Sequence, residues 1–249
     1  MTRYRAAFYH FLISLSIFFA LAYVFFFIWF PGFFYRIDGG WEGLRIVVAV
    51  DLVMGPLLTL VVFKTGKPGL AFDLTLIGLL QASSLASGVF VIYSERPTFF
   101  VYYEKHFYSV SNDMYTEHGV LPPDPAKFGG APAKVFVELP VNPIEEADLR
   151  KIYFQDQVPL WTNNRLYEPL SGHMQTVAAA GVVESEIRDR DSAGLDDWIE
   201  THGGTFSDYA FIPIHSRYRS AFIGIRRDNL SFEGLLEIRP PVANANLAK

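Results

Sequence analysis

The sequence predicts a membrane protein in which three N-terminal transmembrane helices precede a soluble α+β domain with an antiparallel sheet. Three observations carry this reading. About half of the 249 residues are apolar, a share that soluble domains also reach, but the charges are unevenly spread. Residues 1–96 hold 7 Lys/Arg against 5 Asp/Glu, a net of +2, and residues 97–249 hold 14 against 21, a net of −7. Three long apolar runs fall in the first part, whereas the second has the composition and length of one ordinary acidic domain. The expected organisation is a transmembrane domain over residues 1–96, a periplasmic α+β domain over 97–241 and a flexible tail over 242–249.

Residues 8–30 contain no Asp, Glu, Lys or Arg. At about 1.5 Å per residue this run reaches roughly 34 Å, enough for a hydrocarbon core of about 30 Å. Arg3 and Arg5 followed by Ala20-Leu21-Ala22 have the form of a cleaved signal peptide. The apolar run continues past that point through "VFFFIWF", which favours an uncleaved anchor. Residues 46–63 form the second span. A central Asp costs about 2.5–3.5 kcal/mol on insertion, and each Leu, Ile, Val or Phe returns about 0.3–0.6 kcal/mol. Twelve such residues accompany Asp51, for a favourable sum of roughly 4–7 kcal/mol, so this segment inserts despite its carboxylate. Residues 74–93 form the third span, made more polar by Gln81, Ser83, Ser84 and Ser87.

Lys and Arg near the span ends set orientation. Arg3 and Arg5 precede the first span, and Lys64 and Lys67 lie in the "KTGKPG" turn, against Arg36 and Arg45 in the first loop. This places the amino terminus and the turn in the cytoplasm and everything after residue 93 outside, which is the periplasm of a cell with two membranes. Tyr35 and Trp41 suit a membrane interface.

In the outer domain "TFFVYY", "KVFVEL", "YAFIPIH", "SAFIGIR" and "LLEIRP" read as strands, the last three close enough for an antiparallel meander. "NPIEEADLRKIYF" starts a helix with an Asn cap, a Pro and acidic residues. "DSAGLDDWIETHGG" is a second helix stopped by Gly203-Gly204, and "LSGHMQTVAAAGVVES" holds a third. "LPPDPAKFGGAP" is a loop.

The acidic outer part argues against nucleic acid as a partner. The absence of cysteine excludes disulfides and thiolate chemistry. No two of the six histidines have the spacing of a helical zinc site, and no phosphate-loop, dinucleotide or nucleophile-elbow motif occurs. The acidic pairs Glu145-Glu146 and Asp196-Asp197 fall in helix first turns, where the helix dipole accounts for them. The expectation is no catalytic set, no metal and no cofactor, hence no enzyme.

The membrane part is more informative. Asp51, Gly55 and Thr59 recur every four residues and share a helix face, with Pro56 beside Gly55. Asp73, Gln81, Ser84 and Gly88 fall on one face of the third span. Small and polar residues of this kind let helices approach and bond, each bond worth about 0.6–2 kcal/mol. Three readings stand. The stripes hold spans two and three together; part of them receives a guest helix, because an intramembrane carboxylate is a functional candidate; or they line a proton or ion path, for which three spans with one deep acid make a poor conduit. With the span starting at residue 46, Asp51 lies about 8 Å inside the outer end, level with Ser84 to Gly88 of the third span. The Gly-Pro pair is expected to kink the helix.

The order "VDLVMGPLLTLVVFKTGK", Asp73, Gln81, Gly88, Arg96-Pro97 resembles the TfpX/TfpZ type IV pilin accessory proteins, over about residues 5–110. Two segments depart from that pattern, namely Lys105-His106-Phe107 after the third span and Ser87-Gly88 near its end. The resemblance implies a chaperone-like inner-membrane helper that binds a type IV pilin, in contact with the lipid bilayer and with its soluble domain in the periplasm. The competing class is a membrane-anchored periplasmic sensor or ligand-binding protein acting through a partner.

Overall fold

The computed structural model describes residues 2–219 and 221–238; the tail expected over 242–249 lies outside them. The chain forms two compact units, Met1–Arg96 and Pro97–Lys249.

In the first unit three helices are long and apolar enough to cross a membrane: span one, Arg3–Trp29; span two, Gly40–Val62; and span three, Leu70–Ser94. Span two starts at Gly40 rather than at residue 46, because Trp41 to Arg45 continue the helix with their polar groups at its end. Arg45 therefore sits on the helix, its guanidinium 5.6 Å from the centre of the Trp41 ring. The intervening segment is a packed plug and not only an interfacial loop, since Phe30, Phe34 and Ile37 are all buried.

Two stretches are π-helical, Val24–Trp29 in span one and Val48–Met54 in span two. The second runs directly into the Gly55–Val62 α-helix, which carries Pro56 in its first turn. A proline has no N–H to donate and its ring crowds the carbonyl four residues earlier. A widened π turn just upstream removes that conflict, so the helix runs on through the Gly-Pro pair. Phe25, Leu44 and Val47 form the apolar core of the unit, with Leu85, Val89 and Ile92 of span three packed against them.

The second unit is built on a seven-stranded sheet in the order β4-β3-β1-β2-β5-β6-β7. Its strands are β1 (Pro97–Tyr103), β2 (His106–Ser111), β3 (Ala133–Val137), β4 (Tyr167–Pro169), β5 (Tyr209–His215), β6 (Ala221–Arg226) and β7 (Phe232–Glu237). The expected meander is β5-β6-β7, antiparallel throughout. β3 joins β1, and β5 joins β2, in parallel, so the sheet is mixed. β2 comes as an addition to the sequence reading. It returns from β1 through Glu104 and Lys105, both with positive φ, a two-residue turn of the kind usually marked by Asn-Gly. β4, three residues long, carries no readable alternation.

The helices follow their caps. Asn142 accepts from the Ile144 N–H at 3.0 Å to open Pro143–Gln155. The second long helix spans Glu184–His202 and breaks at Asp191 (φ −158°). Asp191 accepts from the Gly194 N–H at 2.8 Å, so the N-terminus expected at Asp191 is an internal restart. The third predicted helix shrinks to Met174–Ala179.

Two cores hold the sheet. Under the helix Glu184–His202, Leu195 and Trp198 pack on Tyr209, Phe211 and Phe222. Gly224 is required there, since a Cβ would come within 2.5 Å of the Trp198 ring. On the other half Phe99, Val101 and Val135 pack with Tyr115, Trp161 and Tyr167. In that core the Tyr115 and Tyr167 hydroxyls lie 2.6 Å apart, and Tyr167 donates to the Trp161 carbonyl at 2.5 Å. Tyr115 therefore donates to Tyr167. Burial pushes both phenols far above the usual tyrosine range, so both remain neutral donors.

This relay yields an asymmetric prediction. Tyr115→Phe removes one neutral bond, a loss of about 0.5–1.5 kcal/mol. Tyr167→Phe strands both the Trp161 carbonyl and the Tyr115 hydroxyl, each worth about 1–3 kcal/mol. Thermal unfolding of the full chain should show Tyr167→Phe as the more damaging change; equal losses would refute the relay.

Candidate functional site

The polar residues of the membrane unit converge at one place. Asp51 is 5% exposed, and it is the twelfth of the 23 residues of Gly40–Val62. It therefore sits at the middle of its helix, not near one end, because the helix begins six residues earlier than hydropathy indicated. Gln81 is the twelfth of the 25 residues of Leu70–Ser94. The Gln81 amide donates to Asp51 Oδ1 at 3.3 Å.

Gly55 makes this contact possible. A Cβ at residue 55 would lie 1.9 Å from Gln81 Nε2 and 2.8 Å from its Cδ. The glycine leaves a notch on span two, one turn from Asp51, and the Gln81 side chain crosses it to reach the carboxylate. Thr59 is buried a turn further on and is hydrogen-bonded to His10 Nδ1 of span one at 2.6 Å. Ser14, 1% exposed, adjoins the Asp51 carboxylate from the same helix. Each of the three spans thus contributes to one polar cluster, in which Ser14, Asp51 and Thr59 are buried and His10 and Gln81 half-buried.

Of the residues singled out in the sequence, the structure brings together Asp51, Gly55, Thr59 and Gln81. Pro56 is half-buried beside them and acts through the helix geometry described above. Asp73 points elsewhere, to an ion pair with Lys67 at 2.5 Å that ties the turn to the start of span three. Ser84 is exposed, and a Cβ at Gly88 would meet no atom within 4 Å. The span-three residue hydrogen-bonded to Asp51 is Gln81. The stripe is therefore divided: its Asp51 part is covered by the protein's own helices, and its Ser84–Gly88 part is not.

Sequence reasoning passed over His10 and Ser14. The signal was present, since they are polar residues four apart, and so on one helix face, in a run without charge. It was hidden because the reading paired span two only with span three, whereas Thr59 and Asp51 face span one as well.

In the second unit the histidines pack against other rings. His106 stacks on His215 at 4.8 Å, and His215 on Tyr108 at 4.9 Å. Burial, with the neighbouring His106 adding to it, holds His215 below the usual histidine range. His173 stacks on Phe136 at 4.2 Å. Among the described residues no three His, Asp or Glu side chains converge as a metal site requires.

Comparison with known proteins gives relatives of one kind. The chain is 33% identical over 95 residues to the fimbrial assembly protein of serogroups C1 and C2 of Dichelobacter nodosus, covering 37% of this chain and 72% of that protein. It is equally similar, at 33% over 95 residues, to the serogroup I and serogroup E1 fimbrial assembly proteins of the same organism. The chain spans only 37% of the length of each of those two. No family model and no solved structure matches.

The notch at Gly55 can be tested by a double-mutant cycle. Gly55→Ala should force the Gln81 amide off Asp51 and cost the full chain about 0.6–2 kcal/mol in detergent. In a Gln81→Ala background most of that penalty should vanish. An unchanged penalty there would show that Gly55 serves some other contact.

Proposed function

The chain belongs to the fimbrial assembly protein family, and we propose that it is a non-enzymatic, chaperone-like accessory protein of the TfpX/TfpZ type that binds a type IV pilin in the bacterial inner membrane. The named role of its relatives in fimbrial assembly supports the pilus context. The three apolar helices support a membrane location. In this reading the amino terminus and the Lys64–Lys67 turn are cytoplasmic and the second unit is periplasmic.

The observation that carries the proposal is the divided stripe. A guest helix cannot reach Asp51, Gly55 or Thr59, which are already buried. It can reach Ser84 and Gly88 on span three, where exposed hydroxyls and the lack of a side chain at residue 88 allow close backbone approach. The Asp51 cluster then acts in support. It fixes span three through Gln81, and so sets which side of that helix is presented.

Site-specific photocrosslinking in cells separates the surfaces. A photoreactive residue at Ser84 or Gly88 should give adducts with the pilin, and one at Gly55 or Thr59 should give none. Adducts only within the chain would leave span three as a packing element without a guest. Unchanged pilus amount after deletion of the gene would sink the accessory role.

A further inference from the structure

The second unit carries a cleft of about 450 Å³, within the size range of small-molecule and peptide-end sites. It opens between the Phe128–Pro132 loop, the start of β3, the turn after β4 and the start of β7. Its walls are mostly apolar and include Phe128, Leu170, Met174 and Phe232. Among the described residues Lys134 is the one charged residue lining it, and no Asp or Glu does.

Lys134 is exposed on β3. Its ammonium lies 4.6 Å from the centre of the Phe232 ring, a cation–π contact that orients it without neutralising it. Among the described residues it has no carboxylate partner. Its side chain reaches solvent, yet the cleft walls remove part of its hydration and lower its pKa from the usual lysine value. A partly dehydrated, unneutralised ammonium at the rim of an apolar cleft favours one negative charge attached to an apolar body. A polyanion such as a nucleotide would find one cation only, and a cationic ligand would be repelled.

We infer that this cleft binds an apolar carboxylate, with the carboxylate on Lys134 and the apolar part against Phe128, Leu170, Met174 and Phe232. A peptide that ends in an apolar residue with a free carboxyl group offers this chemistry, and so does a free arylalkanoic acid. The cleft lies in the other unit from the Ser84–Gly88 face and stands or falls apart from the pilin reading.

The test uses the full chain in lipid nanodiscs and a fluorescent tetrapeptide ending in phenylalanine, with a free or an amidated carboxyl terminus. The free acid should bind at least about tenfold more tightly than the amide. Lys134→Gln should abolish that preference and Lys134→Arg should keep it, with both variants still folded cooperatively by thermal unfolding. 4-Phenylbutyrate is titrated as a competitor: displacement of the peptide shows that a free acid suffices, and failure to displace it assigns the site to peptide ends. Equal affinity for acid and amide, a preference that survives Lys134→Gln, or no binding of either probe at millimolar concentration would each overturn the proposal.

Discussion

Burying the Asp51 carboxylate among apolar helices is the constraint on which the membrane unit is built. A carboxyl group in hydrocarbon must find donors within the protein, since neither water nor lipid tails supply them. Gln81 is the donor from span three, Ser14 adjoins from span one, and the Gly55 notch lets the Gln81 side chain through. The His10–Thr59 bond continues the same seam toward the turn. Among the described residues Asp51 Oδ1 accepts from Gln81, and Oδ2 is buried with no hydrogen-bond partner. Remove the carboxylate, and neither the notch nor the glutamine has a reason to be there.

The same constraint connects to the backbone. Pro56 in the turn after Asp51 is accommodated by a π stretch, Val48–Met54, that contains Asp51 itself. π turns redirect side chains relative to a regular helix, which lets Asp51 and Gly55 face spans one and three together. The apolar contacts of Phe25, Leu44 and Val47 with Leu85, Val89 and Ile92 complete the packing. What is left uncovered, Ser84 and Gly88, is then defined by the same geometry that buries the rest.

Much of this was legible in the sequence, for physical reasons. Apolar length finds spans because the bilayer has a fixed thickness, and periodicity found the Asp51–Gly55–Thr59 face because a helix repeats every 3.6 residues. Hydropathy placed the start of span two late, because Trp41, Glu42 and Arg45 dilute the average although they are helical. The partners of the face were harder, since three helices can pack in several ways and His10 and Ser14 are weak signals. In the second unit the capped helices and the β5-β6-β7 meander were readable from local chemistry. β2 was not, because its turn uses Glu104 and Lys105 where glycine or asparagine is the usual sign. Nor were the parallel pairings, which depend on contacts distant in sequence. The cleft at Lys134 is a product of that long-range topology, and no motif announces it.

The meeting of all three spans at one polar cluster is open to a direct measurement. The chain contains no cysteine, so introduced pairs report contacts without background. In native membranes the pairs His10→Cys with Thr59→Cys and Gly55→Cys with Gln81→Cys should form disulfides readily on mild oxidation, while Gly55→Cys with Ser84→Cys should not. Crosslinking of the third pair at the rate of the second, or failure of the first two, would contradict the account.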